Sequence, residues 1–314
     1  MTLLYKYMPL RFEMFSDPLL RLTPPSELND PFDAKPTKSG VEKKVDFFFQ
    51  DSIDSDNELS TDTVEYYKNE LESKLNGYGV ISLTENPYSL LMWSHYASEH
   101  KGVVIGIASD ENTFDYHDGF TMTCGISKIK PARVSYSSRR PGFEMPDDCI
   151  YEYFENNFFS HFALTKGDDW LYEKEHRYLL SLNEADVIIA DLSSLEVAKS
   201  ISDYGVLFEN ISGNSYKIEA KSVDVRSSLK WWLCLAYNRR IISNVKFFKR
   251  IVPNAIRSVY FGCKVDNADI NRTIESVRES PRFSSNVNFY RSTQSVERFE
   301  IDFELLDENY AFRK

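Results

Sequence analysis

The chain has 314 residues and a formal net charge of −11, with 42% hydrophobic and 14% aromatic residues. This composition excludes a disordered or collagen-like chain and predicts a sizeable core in one large domain or two small ones. No apolar run approaches the ~20 residues of a membrane helix, and residues 1–7 lack the features of a signal peptide. Four cysteines without a CxxC pair fit a reducing compartment. We therefore expect a cytoplasmic protein without a membrane span.

The N-terminal part of the sequence predicts short strands joined by turns. Residues 3–7 and 19–23 have the apolar content of strands. Residues 26–33 form a stretch rich in proline and polar side chains, which is typical of a rigid loop. Within it, Asn29 and Asp30 can bond backbone groups and hold the turn.

The middle of the chain alternates strands and helices. Residues 80–84 predict a strand, followed by a helix that begins near Pro87 and ends before Gly102. The β-branched stretch 103–107 predicts a buried strand. Phenylalanines four residues apart predict an amphipathic helix over 147–165.

The C-terminal part predicts a helix at about 226–243 and strands near 259–263, 286–291 and 299–305. Strands mixed with helices, without an internal repeat, indicate an α+β fold. We expect residues 1–220 to form the main α+β domain. Residues 221–314 then form a basic C-terminal α/β subregion packed on it.

Charge is distributed unevenly along the chain. Residues 1–200 carry 19 basic and 34 acidic groups, whereas residues 201–314 carry 18 basic and 14 acidic groups. Residues 221–264, the basic segment, contain ten Lys and Arg but one acid. Such a segment predicts an anionic partner, which is nucleic acid, a phosphorylated ligand or the acidic first half of the same chain.

An aromatic face is predicted on the helix after residue 87. Met92 and Trp93 lie four and three residues before Tyr96, so the three share one face, with His95 beside it. Faces of this kind pack in the core or stack a flat ring such as nicotinamide or adenine.

Two carboxylates and a guanidinium follow Trp170. On a strand, Glu173, Glu175 and Arg177 alternate onto one face. One interpretation is structural, with Arg177 bridging the pair in an ion-pair network. The other is catalytic, because a carboxylate beside a ribose stabilises an oxocarbenium-like transition state.

Several motifs together resemble a bacterial family of proteins of unknown function, catalogued as domain of unknown function 2971. They match in order and spacing, and cover most of residues 1–265. The motifs are LYKY at 4–7, PSELNDPFD at 25–33, SLT at 82–84, MWSHYA at 92–97 with KGV at 101–103, WLYEKEHR at 170–177 and VYFG at 259–262.

Some members of this family resemble, more distantly, the NAD-dependent ADP-ribosyltransferase fold. The resemblance implies a split, mainly antiparallel sheet flanked by helices. Such folds grip the NAD ribose with His or Arg on the first strand, and later use an aromatic or a Ser-Thr-Ser strand and a late catalytic Glu, often in Glu-x-Glu. By this resemblance Lys6 takes the His/Arg position, Ser82 and Thr84 give a partial Ser-Thr element, and Glu173 and Glu175 are the late carboxylates.

The resemblance implies an ADP-ribosyltransferase-like or NAD-cleaving bacterial effector in phage defence or stress response, with NAD as substrate. The alternative is a non-enzymatic nucleic-acid-binding or nucleotide-sensing module, in which the basic segment binds nucleic acid. In the enzyme, the same segment binds a nucleic-acid or protein acceptor. No metal is expected. The implied catalytic residues are Glu175, Glu173 and Lys6, and the implied binding residues are Tyr7, Asn29, Asp30, Ser82, Thr84, Trp93, His95, Tyr96, Trp170 and Arg177.

Overall fold

The computed structural model of the chain describes residues 2–35, 37–49, 65–66, 69, 75–110, 112–114, 130–141, 159–192, 206–220, 242–283 and 287–306. Three longer helices and fifteen strands have defined bounds in these ranges. The helices are α1 (Lys38–Phe49), α2 (Leu90–Tyr96) and α3 (Asn267–Glu279).

An eight-stranded sheet forms the larger layer, in the order β15-β14-β13-β4-β1-β3-β8-β5. Within it, neighbouring strands are antiparallel except for β13 and β14, which are parallel. Its strands are β1 (Thr2–Met8), β3 (Tyr78–Thr84), β4 (Val103–Ser109), β5 (Ala132–Arg133), β8 (Glu175–Ser181), β13 (Ile256–Phe261), β14 (Asn288–Gln294) and β15 (Ile301–Leu305).

A second, five-stranded antiparallel sheet has the order β10-β11-β9-β12-β2. Its strands are β2 (Leu19–Leu22), β9 (Val187–Leu192), β10 (Val206–Ser212), β11 (Ser215–Ala220) and β12 (Ile242–Arg250). A small parallel ribbon pairs β6 (Ser135–Ser137) with β7 (Thr165–Gly167). Thr23, just after β2, bonds Val80 on β3 through both backbone groups, at 3.0 and 2.8 Å. The two sheets are therefore joined directly.

The core explains why the central strands are so apolar. All seven residues of β4 are buried, as expected for a strand covered on both faces. Leu4 and Leu22 pack in the same core, with Ile270 and Ile274 of α3. Gly106 lies so close to β13 that a Cβ would stand 2.1 Å from Oγ of Ser258. A side chain at this position would force the hydroxyl of Ser258 to move.

The α+β class and the mainly antiparallel pairing are confirmed, as are the strands expected at 3–7, 19–23, 80–84 and 103–107. An α/β element also exists in the C-terminal part, because β13, α3 and β14 form a parallel βαβ unit. Strands from 242–306 are hydrogen-bonded into both sheets. The described residues after 241 thus extend the layers built by the first 220 residues.

The helix expected from Pro87 onward is shorter than predicted. It begins after Ser89, whose side chain accepts from the backbone N–H of Met92 at 3.4 Å, a typical N-cap. It ends because residues 98–100 all have positive φ, between 48° and 69°. Left-handed residues cannot continue a right-handed helix.

Other boundaries also differ from the prediction. The expected strand near Trp170 starts only at β8, because residues 168–173 form a 3-10 helix. A helix is predicted over 147–165. Residues 159–163 are helical, residue 164 is in a turn, and β7 begins at Thr165. Residues 147–158 lie outside the described residues. Residues 226–241 are also outside them, and 242–243 belong to β12.

Within the described ranges, no helix combines the length and the apolar character needed to cross a membrane. In the same ranges, no group of three or more His, Cys, Asp and Glu side chains is placed to hold a metal ion.

Candidate functional site

A cleft of about 460 Å³ is bounded by strands of both sheets. Its walls come from β1, β2, β3, α2, β9, β12 and the loop at 27–33, and its inner end from residues 166–177. This volume is typical of small-molecule sites. The cleft therefore lies where the two sheets meet through the bond between Thr23 and Val80.

Arg177, on β8, organises the inner end of the cleft. Its side chain is 1% exposed. Its Nε and one Nη2 hydrogen donate to Glu175 at 2.8 and 2.9 Å, and Nη1 and Nη2 donate to Asp33 at 2.7 and 2.6 Å. Nη1 also donates to the backbone oxygen of Ala163 at 2.7 Å. Because a guanidinium has five N–H groups, all of them are used within the protein.

The polar loop predicted at 26–33 supplies the partner carboxylate. Oδ1 of Asp30 accepts from the backbone N–H of Phe32 at 2.9 Å, and the backbone N–H of Asp33 bonds the backbone oxygen of Asp30 at 3.2 Å. Such Asx turns are how short acidic side chains hold a loop. The turn points Asp33, which is 4% exposed, toward Arg177.

Lys166, on β7, joins three carboxylates in the same cluster. Its Nζ donates to Glu173 at 2.6 Å and to Glu175 at 3.4 Å, and lies 3.8 Å from Oδ2 of Asp33. It also stands 4.6 Å from the centre of the Trp170 ring. Burial lowers the pKa of Lys166, but the charges of Glu175 and Glu173 raise it above the ordinary value. Lys166 is thus held as an ammonium.

Glu173 is brought into the cluster by a 3-10 helix and a left-handed residue, not by a β-strand. It ends the 3-10 helix, and Lys174 then adopts a left-handed backbone with φ 44° before β8 begins. One carboxylate oxygen accepts from Lys166, and the other from the hydroxyl of Tyr96 at 2.6 Å. Burial and this hydrogen bond raise the pKa of Tyr96, so its hydroxyl stays a donor.

Glu175 and Glu173 differ in their electrostatic setting. Burial would raise the pKa of Glu175, but the charges of Arg177 and Lys166 hold it at about 2. Its oxygens are committed to those two cations. Glu173 has no bond to Arg177 and meets partners that line the cleft, namely Tyr96 and Lys166. It is therefore the carboxylate better placed to act on a ligand.

Lys6, on β1, also lines the cleft. Its Nζ donates to the backbone oxygen of Ser82 at 2.9 Å. Burial lowers its pKa, and the charges of Glu175 and Glu173 do not restore it. Lys6 and Lys166 thus have opposite electrostatic settings in the same cleft.

The cleft is more basic than the chain as a whole. Six basic and five acidic side chains line it, although the chain carries −11. Arg11, Arg21 and Lys246 also line the cleft; Arg11 and Lys246 are exposed, and Arg21 is bonded to Glu27. Cations that line an apolar and aromatic cleft favour an anionic ligand.

A family model described as "Protein of unknown function (DUF2971)" matches residues 92–178. The chain is similar to this family over that segment. The matched residues run from α2 through β7 to β8 and include most of the buried cluster. No curated protein matches the chain, and no solved structure does. The resemblance to the family is supported there, whereas the one to ADP-ribosyltransferases stays a prediction.

The structure brings most of the predicted site residues to one place. Those that line the cleft are Lys6, Tyr7, Asn29, Asp30, Ser82, Tyr96, Trp170, Glu173, Glu175 and Arg177. Thr84, Trp93 and His95 are not among the lining residues. The hydroxyl of Thr84 instead donates to the backbone oxygen of Glu173 and so helps to fix the position of that residue.

Trp93 belongs to the core and offers no ring to a ligand. It is fully buried, and its Nε1 donates to the backbone oxygen of Pro87 at 2.9 Å. Its ring meets Tyr7 edge to face at 5.4 Å. His95 is exposed and lies edge to face against Tyr96 at 6.3 Å. Of the two interpretations of the aromatic face, core packing holds for Trp93.

Sequence reasoning did not single out Lys166, Asp33, Arg11, Arg21 or Lys246 as site residues. Asp33 stands within the polar loop motif, so a signal for it existed. No sequence signal marked Lys166 as a site residue, because a single lysine between Thr165 and Gly167 fits an exposed turn as well as it fits a buried site.

Part of the basic segment is compensated inside the protein. Lys249 is fully buried, and its Nζ lies 3.5 Å from Oδ2 of Asp186. Arg250 pairs with Asp17 at 2.6 Å. These two cations meet acids of their own chain. Residues 221–241 are outside the described ranges, so binding of nucleic acid or of a protein acceptor there stays a prediction.

Proposed function

We propose that the cleft binds a dinucleotide of the NAD class and cleaves its N-glycosidic bond, releasing nicotinamide. The ADP-ribose passes to water or to an acceptor. The observation that carries this proposal is the buried Glu173 carboxylate, which Tyr96 and Lys166 hold at the inner end of the cleft beside Trp170.

The reaction needs a negative charge beside the ribose. When the bond to nicotinamide breaks, positive charge develops at the ribose carbon, and a carboxylate held there stabilises it. Glu173 suits this role because neither oxygen is committed to Arg177. Its two donors leave further lone pairs on the carboxylate for a ribose hydroxyl.

In this proposal the other lining residues each contact a different part of the dinucleotide. We assign the diphosphate to Arg11, Arg21 and Lys246, since cations that line a cleft attract phosphate. Trp170 and Tyr96 offer aromatic surface for the nicotinamide or adenine ring. Lys6 donates to Ser82 and has N–H groups left for a ribose hydroxyl.

Glu175 then serves as a positioning residue. Together with Asp33 it neutralises Arg177, and it accepts from Lys166, which donates to Glu173. The resemblance to ADP-ribosyltransferases implies a catalytic role for both glutamates, whereas this assignment gives that role to Glu173 and a positioning role to Glu175.

The purified full chain incubated with NAD and followed by mass spectrometry tests the proposal. We expect free nicotinamide to accumulate, together with ADP-ribose or with its mass added to protein or nucleic acid. A protein that binds NAD in equilibrium dialysis but releases no nicotinamide, with and without candidate acceptors, would overturn the cleavage step. Absence of binding as well would overturn the substrate class.

A further inference from the structure

Lys6 differs from Lys166, another lysine that lines the cleft, in what surrounds its amine. Its Nζ donates to the backbone oxygen of Ser82 at 2.9 Å. Among the residues that the structure describes, no carboxylate oxygen lies within the 4.0 Å of an ion pair with it. A half-buried lysine without an ion pair loses hydration without gaining a counter-charge.

Lys166 provides the contrast within the same cleft. Three carboxylates lie within 4.0 Å of its Nζ, at 2.6, 3.4 and 3.8 Å. These charges keep Lys166 protonated, so it cannot act as a nucleophile. Lys6 has the opposite setting, and burial shifts its pKa downward. Amines of this kind are the ones that react with carbonyl groups.

We propose that Lys6 is a nucleophilic amine that forms an imine with an aldehyde carrying a phosphate group. The Nζ lone pair attacks the carbonyl carbon and forms a C–N bond. The carbonyl oxygen leaves as water, taking both hydrogens of the neutral amine. The phosphate requirement comes from Arg11, Arg21 and Lys246, which line the same cleft.

This inference goes beyond glycosidic cleavage and does not depend on it. Any phosphorylated aldehyde that fits the cleft would serve. If the cleft does cleave NAD, ring-opened ADP-ribose is such an aldehyde, and Lys6 would hold it after nicotinamide leaves.

Labelling of the full chain with pyridoxal 5′-phosphate tests the proposal. This probe carries both an aldehyde and a phosphate, and borohydride reduces its imines to stable secondary amines that peptide mass spectrometry locates. We expect Lys6 to be labelled first, before exposed lysines such as Lys38. Lys166 should stay unlabelled at that stage.

Two comparisons make the test specific. Pyridoxal without its phosphate should label Lys6 more slowly, and inorganic phosphate should slow labelling by pyridoxal 5′-phosphate at Lys6 but not at Lys38. Lys6→Arg, which keeps a donor for Ser82, should lose the fast label while the other peptides label as before. Labelling of Lys6 no faster than Lys38, or labelling of Lys166 at the same rate, would overturn the nucleophile. Equal rates for pyridoxal and its phosphate would overturn the phosphate requirement.

Discussion

Arg177 and Asp33 form a bidentate ion pair, with Nη1 to Oδ1 at 2.7 Å and Nη2 to Oδ2 at 2.6 Å, although they lie 144 positions apart. Both side chains are buried. The pair ties the loop after β2 to β8, and so sets the distance between two walls of the cleft. Bidentate pairs of this kind are among the strongest polar contacts in proteins.

Loss of this guanidinium should destabilise the protein strongly. Arg177→Met keeps much of the volume but leaves Asp33 and Glu175 with Lys166 as their remaining cation. Removal of one partner of a buried pair costs about 3–5 kcal/mol, which urea denaturation can measure. Arg298→Met is the matched control, because Arg298 is largely exposed and should change stability by about 0.5 kcal/mol or less. A loss at Arg177 as small as the control's would refute the structural role.

The two glutamates should respond differently to the same substitution. Glu175→Gln places an NH₂ group or a single oxygen against two guanidinium N–H groups, so we expect a loss of about 3 kcal/mol. Glu173→Gln can keep its oxygen as the acceptor from Lys166, and its NH₂ can donate to the hydroxyl oxygen of Tyr96, so about 1 kcal/mol is expected. Paired unfolding curves decide between them, and equal losses would contradict the assignment.

Acid should remove the contribution of Glu175. Its native pKa of about 2 lies below the ordinary 4.5, so its stabilisation is present above pH ~4.5 and is lost as the pH falls toward 2. The shift corresponds to about 3 kcal/mol. Because Asp17 and other acids also titrate, the quantity to measure is the difference in unfolding free energy between wild type and Glu175→Gln. That difference should shrink from pH 5 to pH 2, and a constant difference would argue against the lowered pKa.

The turn at Asp30 can be tested without touching the buried cluster. Asp30→Ala removes the acceptor of the Phe32 N–H and should cost about 1–2 kcal/mol. Asp30→Asn keeps an oxygen acceptor in the same place and should recover most of that loss. Thermal melting of both variants distinguishes a structural role of Asp30 in the turn from a role in ligand binding. An unchanged melting midpoint in Asp30→Ala together with lost NAD binding would indicate that Asp30 contacts the ligand.

The strands of the fold were accessible from the sequence because their signal is local. The apolar stretches that became β3 and β4 are buried on both faces, so their composition alone indicates strands. The polar loop at 26–33 was also predictable, since prolines and Asx residues dictate turns.

The detailed site could not be predicted from the sequence, because it depends on contacts between distant residues and on one left-handed residue. Glu173 and Glu175 do converge, but through the left-handed Lys174 and not through alternation on a strand. A lysine tolerates that conformation only where the surrounding structure imposes it. Nor does any pattern near Lys166 show that three carboxylates from other elements surround it. Burial likewise decided that Trp93 is core.

A catalytic Glu173 should be required for rate and not for binding. Glu173→Gln preserves shape and hydrogen-bonding capacity while removing the charge that stabilises the developing cation. Positioned groups of this kind typically contribute ~10²–10⁴-fold. Glu304→Gln is the matched control, because Glu304 is exposed on β15 and is not among the residues that line the cleft.

The most direct test is the rate of nicotinamide release from NAD by wild type, Glu173→Gln and Glu304→Gln, with NAD affinity measured in parallel by equilibrium dialysis. The account predicts release by wild type and by Glu304→Gln at similar rates, and a loss of ~10²–10⁴-fold in Glu173→Gln with affinity nearly unchanged. Release by Glu173→Gln at the wild-type rate would contradict it.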